Sequence, residues 1–586
     1  MTLDIADSTG NALQADRRGL WVLPGRRVFA YSDGRPSERY LESVLSRPGT
    51  DLSSGSYELE QQIKDWPSEY HLSRTRAQLL REFDFGRAGR VLEVGSGCGA
   101  ITRFLGETFR EVVAVEGSLV RARLTRLRTT DQGNVAVVCA PFQDITFSSS
   151  FDIVFCIGVL EYANQFVDAP DPYQTALEYF SSVLTPDGAL VLAIENQFGS
   201  KYWASSGEDH TGVMFDGLEG YPRFGRSART FGYHELRKRI ETHFPHVQFY
   251  FPFPDYKVPS CVLSEEFIRR VKAGELVGRF RSRDYASPRR RLFDERHLIL
   301  EIDRNDMLPF FSNSFLVVAG KGLHPGIKMR SLGVVYSRER VRSLETITRF
   351  MDDGDGHVKV CKVTASGRDD VEAGPLMLRS SETQWIPGLS LQAQILNRSR
   401  ERGVTLRALF APCRAWVEAL RARARMEGER ILVDGKFLDC NWSNCYIVDG
   451  QCVFVDHEWE WNEKLSLSVL LIRNVYNLID EVEDLRDLVP PFRGSARRRV
   501  IMRIARSLEV KVTRRDFADF SRIQARIAQV VFGESYLKAR LVIWLGLECH
   551  WLLVWLRHGK RAVDLVRGLL SRIVNRLPLK PGLPPQ

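Results

Sequence analysis

Five short apolar runs recur along the first third of the chain: Arg90–Val94, Val112–Val115, Val135–Val138, Phe151–Cys156 and Ala189–Ile194. Continuous apolar runs of this length read as strands buried on both faces. Between them lie stretches with helical spacing, such as Ser118–Thr129 and Pro172–Leu184. This alternation predicts an α/β unit with a parallel sheet covered on both faces. Phe311–Ala319 reads as the last strand of that sheet. Upstream, Leu20–Leu23 and Arg27–Tyr31 read as a hairpin around Pro24-Gly25, and Pro48–Gly55 as a turn-rich linker. No chemistry is evident in residues 1–60.

The first strand runs directly into a glycine loop, R-V-L-E-V-G-S-G-C-G-A from Arg90 to Ala100. Gly95, Gly97 and Gly99 allow a tight turn and a close approach to a cofactor. Gly95, Gly97 and Ala100 also satisfy the dinucleotide pattern G-x-G-x-x-(G/A). Glu93 separates the two readings, because a carboxylate there repels a pyrophosphate and needs a cationic partner instead. The α-amino group of S-adenosylmethionine (SAM) would supply one. Glu116, at the end of the second strand, stands where a doubly wound fold places a ribose-binding carboxylate.

These residues resemble the first motifs of class I SAM-dependent methyltransferases, a Rossmann-like fold with a seven-stranded sheet. The resemblance covers roughly residues 60–321. It implies that Asp144 accepts a hydrogen bond from the adenine amino group, and that Ile157–Tyr162 close over the methionine end. It places Tyr70-His71-Leu72-Ser73, before a helix carrying Arg76 and Leu79-Leu80, at the cofactor's entrance. The cofactor-binding set is therefore Glu93, Gly95, Gly97, Gly99, Glu116, Asp144, Ile157 and Tyr70.

Downstream of the fifth strand, Glu195–Gly199, Lys201-Tyr202-Trp203, Glu208–Gly212, Gly217–Tyr221 and Phe253–Lys257 are rich in polar, aromatic and glycine residues. Ligands bind at the carboxyl ends of parallel strands, so these segments predict a shaped pocket for a polar acceptor. His210, between acidic neighbours, is the candidate catalytic base. It could equally cap a turn. An acceptor that is already anionic needs no strong base, and His210, Lys201 or Tyr256 would then only position it.

At 586 residues the chain is too long for one core. It shows no charged-then-apolar leader and no uninterrupted apolar run of about 18 residues, and the scattered cysteines read as those of a cytoplasmic protein. Leu541–Leu556 reads as a buried helix. The ten cysteines are scattered. Cys440, Cys445 and Cys452, the closest group, do not have zinc spacing and read as reduced thiols. The net charge is +9, with basic clusters at Arg279–Arg291, Arg497–Arg499 and Arg557–Arg576. Such clusters are commonly solvated faces; otherwise they suit an anionic substrate, an acidic lipid surface or nucleic acid. No nucleic-acid recognition motif is present, which makes nucleic acid an unlikely partner.

The second half carries a different pattern. Asp439 and Asn444 stand as D-x-x-x-x-N, followed by two strands joined at Asp449-Gly450 and then Asp456. The order and spacing resemble kinases, in which such an Asp accepts the hydroxyl proton and the Asn and second Asp hold Mg²⁺ against ATP. The resemblance extends to small-molecule kinases of the aminoglycoside-phosphotransferase type, with Asp456-His457-Glu458-Trp459 in place of D-F-G. It makes Asp439 the catalytic group, Asn444 and Asp456 the metal ligands, and Lys359 (or Lys362) the nucleotide lysine, with Glu372 its best available partner. Thr383–Leu391 resembles the segment that joins the lobes. Only about two dozen residues separate lysine and linker, about half of what a helix and two strands occupy. The small lobe of this α+β domain is therefore reduced, and a non-catalytic pseudokinase scaffold is the second reading.

The expected organisation is a leading segment (1–60), a methyltransferase domain (61–322), a kinase-like domain (323–576) and a disordered tail (577–586). This pairing resembles the bifunctional methyltransferase–kinase proteins of bacterial surface polysaccharide (O-antigen) clusters. The resemblance implies O-methylation of a glycan or phosphorylated sugar, and association with membrane-bound polysaccharide machinery at the inner membrane face. An RNA methyltransferase is the remaining alternative.

Overall fold

The computed structural model describes residues 13–24, 29, 31–481 and 497–548, apart from 224, 227, 286–288, 290–291, 323–325, 338 and 369. The basic cluster 557–576 and the tail 577–586 lie outside the described residues, as does the end of the 541–556 stretch. The chain forms two compact units, residues 1–337 with 347–360, and 338–346 with 361–586.

In the first unit the strands are β1 (Leu20–Val22), β2 (Arg90–Val94), β3 (Glu111–Glu116), β4 (Val135–Cys139), β5 (Phe151–Ile157), β6 (Leu184–Glu195), β7 (His246–Phe253), β8 (Cys261–Ser264), β9 (Ser314–Gly320), β10 (Gly333–Tyr336) and β11 (Thr346–Asp352). Their order in the sheet is β1-β4-β3-β2-β5-β6-β9-β7-β8-β10-β11. From β1 to β6 the pairing is parallel. β9 enters antiparallel between β6 and β7. β4-β3-β2-β5-β6-β9-β7 is thus the expected seven-stranded Rossmann-like core, and β9 is the strand predicted at 311–319. Val91, Leu92, Val112, Val113, Phe155 and Val191 are buried, as runs covered on both faces must be.

Residues 27, 28 and 30 of the expected hairpin's second arm, and its turn at 25, lie outside the described residues. β1 pairs with Gln14–Ala15 and extends the sheet beside β4. The helix expected after Ser73, with Arg76 and Leu79, is the 3-10 helix Arg74–Leu79. The α-helix Trp66–Leu72, opened by an Asp65/Ser68 capping box, precedes it.

The second unit packs the helices Leu391–Arg398, Cys413–Arg421, Leu467–Glu481, Arg497–Ser507, Arg514–Phe532 and Tyr536–Glu548 around a core that includes Trp416, Trp442, Leu471 and Ile501. The hairpin Cys445–Val448/Gln451–Phe454 turns at Asp449-Gly450, both at positive φ, as a two-residue turn requires. Cys445 and Cys452, expected as separate thiols, are joined as a disulfide within it. Among the described residues no helix is long and apolar enough to cross a membrane.

Candidate active site

Strand order reverses about β2, with β3 on one side and β5 on the other. A crevice opens at the carboxyl ends of strands at such a switch point. There the first unit holds a cavity of about 250 Å³ lined by Glu93, Gly95, Gly97, Glu116, Tyr70 and Ile157 among others. Gly95, Gly97 and Gly99 all have positive φ, and Gly99 caps the helix Ala100–Thr108. Glu116 accepts hydrogen bonds from the backbone N–H groups of Gly97 (2.8 Å) and Ser118 (2.9 Å), which holds the glycine loop against the end of β3. Glu93 is buried, and its Oε2 makes no hydrogen bond. Burial pushes its carboxyl up to about 7. An orphaned buried carboxylate facing a cavity fits a cationic ligand group and repels a phosphate.

Asp144 does not line this cavity. Past β4 the chain turns at Pro141 into the short 3-10 helix Phe142–Asp144, and Ala140 and Phe142 form the wall there. The leading segment, in contrast, takes part. Phe29, Tyr31 and Asp33 line the cavity. Asp33 is 2.9 Å from His71 Nε2 and 3.8 Å from Arg121. Against its burial, these partners hold its carboxyl down at about 2. Arg76 donates to the carbonyl of Lys257 (2.6 Å) and lies over the Tyr70 ring, tying the entrance to the 253–257 segment.

The far end of the cavity is strongly polar. Glu161, Tyr162, Asp209, His210, Tyr256 and Lys257 line it, with Glu195 fully buried beside them. Lys257 pairs with Glu195 and Asp209, and Lys201 pairs with Asp209 at 2.8 Å. His210 Nδ1 is 3.0 Å from the Tyr162 hydroxyl, and its Nε2 is 3.4 Å from Glu195. Against the effect of burial, the charges of Glu195, Glu208 and Glu161 raise His210 to about 9. The ring thus holds its proton more strongly than a free imidazole does, which counts against the catalytic base that the sequence suggests. Burial and the neighbouring Glu195 push Glu161 up to about 8.

In the second unit Lys362 is the buried lysine. It pairs with Asp456 and, at 3.0 Å, with Glu458. Lys359 is three residues away on the strand Val358–Thr364, whose buried positions are Val358, Lys362 and Thr364, so it falls on the opposite face. Glu372 is exposed on the edge hairpin Asp370–Ala373/Leu376–Arg379 and is not the lysine's partner. Glu458 takes that place, bound also by Arg340, and against its burial these two cations hold it at about 2. Asp439 is buried, and burial with the charges of Glu458 and Asp456 pushes it to about 7. The Asn444 side chain donates to the Asp439 carbonyl (3.2 Å). Lys362→Ala is expected to destabilise this unit by about 3–5 kcal/mol, because it strips a buried carboxylate cluster of a cation. Urea unfolding of the full chain measures the loss.

The Rossmann-like sheet and its switch-point cavity are the fold of a methyltransferase domain. Residues 92–192 match the family model for a methyltransferase domain. An uncharacterized methyltransferase of Staphylococcus carnosus (strain TM300) is 30% identical over 125 residues, 21% of this chain and 56% of that protein. The chain thus spans about half the length of the curated relative it matches. Among solved structures, the N-methyltransferase NodS from Bradyrhizobium japonicum WM9 with S-adenosyl-L-homocysteine is 18% identical, with a TM-score of 0.20, covering 28% of this chain and 74% of that one. SAM-bound CalS10, an amino pentose methyltransferase from Micromonospora echinaspora, is 22% identical, with a TM-score of 0.16, covering 21% and 50%.

Proposed function

We propose that the first unit transfers a methyl group from SAM to an oxygen of a polar acceptor, a glycan or phosphorylated sugar. The carrying observation is the buried, unbonded Glu93 Oε2 beside a glycine loop held by Glu116. Glu93 would hold the amino group, Glu116 the ribose, and Tyr70 and Ile157 the walls between them. SAM supplies a methyl group already activated on a sulfonium, so alignment accounts for much of the rate. The chain's part is to orient the acceptor. Tyr256 and Lys257 are fixed by Glu195 and Arg76, and His210 is fixed by Tyr162. The far end offers charged and phenolic groups to a hydroxyl-rich ligand. Transfer of labelled methyl from SAM to a panel of sugars, sugar phosphates and glycans tests this reading; transfer to none of them, with turnover on RNA, overturns it.

Because Glu93 must be ionised to hold an ammonium, SAM affinity is expected to fall about tenfold per pH unit below about 7. Binding should release a proton in that range. Calorimetry in buffers of different ionisation enthalpy measures both.

For the second unit the proposal is a kinase-like domain. Its non-catalytic form is favoured by one observation: Lys362 is seated on Asp456, the expected metal ligand. RNA as acceptor is disfavoured because Arg279, Arg283 and Arg289 are paired with Glu275, Glu69 and Glu295. Association with membrane-bound polysaccharide machinery remains part of the glycan reading.

A further inference from the structure

Glu161, Glu195 and His210 each bring one ligand-type atom to a common point, all within 4.8 Å of one another. They come from separate places in the chain. Glu161 follows β5, Glu195 ends β6, and His210 lies in the loop beyond. Glu161 and Glu195 are completely buried, and the His210 side chain is 8% exposed. Glu195 Oε2 and His210 Nε2 face each other as an ion pair at 3.4 Å without a hydrogen bond, and Glu161 Oε2 makes no hydrogen bond, although a buried carboxylate oxygen without a partner is costly.

The other atoms of the same side chains are engaged, which sets the direction of the free ones. The Tyr256 hydroxyl reaches Glu195 Oε1 at 3.2 Å and Glu161 Oε1 at 3.5 Å. Lys257 also binds Glu195 Oε1, and its charge is balanced by Asp209. His210 Nδ1 meets the Tyr162 hydroxyl, which meets Tyr31 in turn (3.0 Å each). With Nδ1 held on the Tyr162 hydroxyl, Nε2 faces Glu195 Oε2 and is the ring atom left to bind a cation once its proton is lost. A metal-binding imidazole is commonly oriented by a hydrogen bond on its other nitrogen.

We propose that Glu161, Glu195 and His210 form a binding site for a divalent cation of the Mg²⁺ or Mn²⁺ class at the acceptor end of the cavity. Two carboxylates and one imidazole leave coordination positions open toward the cavity. The cation displaces the protons on His210 Nε2 and on the Glu161 carboxyl, and both pass to solvent. If the methyltransferase reading holds, an acceptor hydroxyl would take one of the open positions and lose its proton to water more readily. Binding of the metal does not depend on that reading.

The test uses the full chain without SAM, titrated with Mn²⁺ and followed by electron paramagnetic resonance. The expected result is one tightly bound Mn²⁺ that is lost in Glu161→Gln and in His210→Gln, and kept in Asp456→Asn. Tyr162→Phe, which removes only the orienting hydroxyl, is expected to weaken binding about 10–100-fold. SAM calorimetry on the same samples reports whether each variant is folded. No Mn²⁺ bound to the wild type overturns the proposal, whatever the variants do. Mn²⁺ retained in both Glu161→Gln and His210→Gln also overturns it. SAM binding that persists without Mn²⁺ binding leaves the methyltransferase reading standing; Mn²⁺ binding without SAM binding removes that reading and keeps the metal site.

Discussion

Replacing Glu116 by alanine is expected to lower SAM affinity by roughly a hundredfold to ten-thousandfold while the first unit stays folded. The carboxylate sits at the end of β3 and accepts the N–H groups of Gly97 and Ser118. Two charge-assisted bonds to a ribose diol would be lost, at about 1.5–3 kcal/mol each. The glycine loop would lose the anchor that holds it at the cavity wall. Glu116→Gln keeps an acceptor oxygen but removes the charge, so an intermediate loss is expected. Isothermal calorimetry measures the affinities, and thermal unfolding verifies the fold. An alanine variant that binds SAM as tightly as the wild type would remove Glu116 from the site.

Gly95→Ala should act on folding and binding together. Gly95 has φ +75°, and an added Cβ would lie 2.4 Å from Val159 Cγ2. The left-handed backbone costs an alanine about 1–3 kcal/mol, and forcing a methyl into a packed wall costs about 1–3 kcal/mol more. A destabilisation of about 2–6 kcal/mol is therefore expected in denaturant unfolding of the first unit. Adding Val159→Ala should recover the steric part and leave the backbone part. A Gly95→Ala protein with an unchanged midpoint would mean that the loop is not held as described.

The cofactor half of the cavity was legible because it is written locally. Glu93, Gly95, Gly97 and Gly99 lie within one strand and turn, and Glu116 ends the next strand. Residues that enter by long-range pairing were hidden. Asp33 and Tyr31 reach the cavity because β1 joins the sheet beside β4, more than 100 residues later in the chain, and nothing in a short N-terminal run announces that partner. Glu161 and Glu195 meet because β5 and β6 are parallel neighbours whose carboxyl ends coincide. His210 was visible as a histidine among acids, but the proton it holds is favoured by Glu195, which the fold brings beside it and composition does not reveal. Asp144 lies in the 3-10 helix Phe142–Asp144, outside the cavity lining, a local turn that the apolar pattern does not show. For Lys359 and Lys362 the two-residue period of the strand decides which side chain faces inward. That period was readable, but the inward face was not.

SAM is the ligand expected in the glycine-loop cavity, and calorimetry of the full chain with SAM and with NADH tests this most directly. The expected result is saturable binding of one SAM per chain, weakened by Glu116→Ala, with no NADH binding. Tight NADH binding with no response to SAM would contradict it.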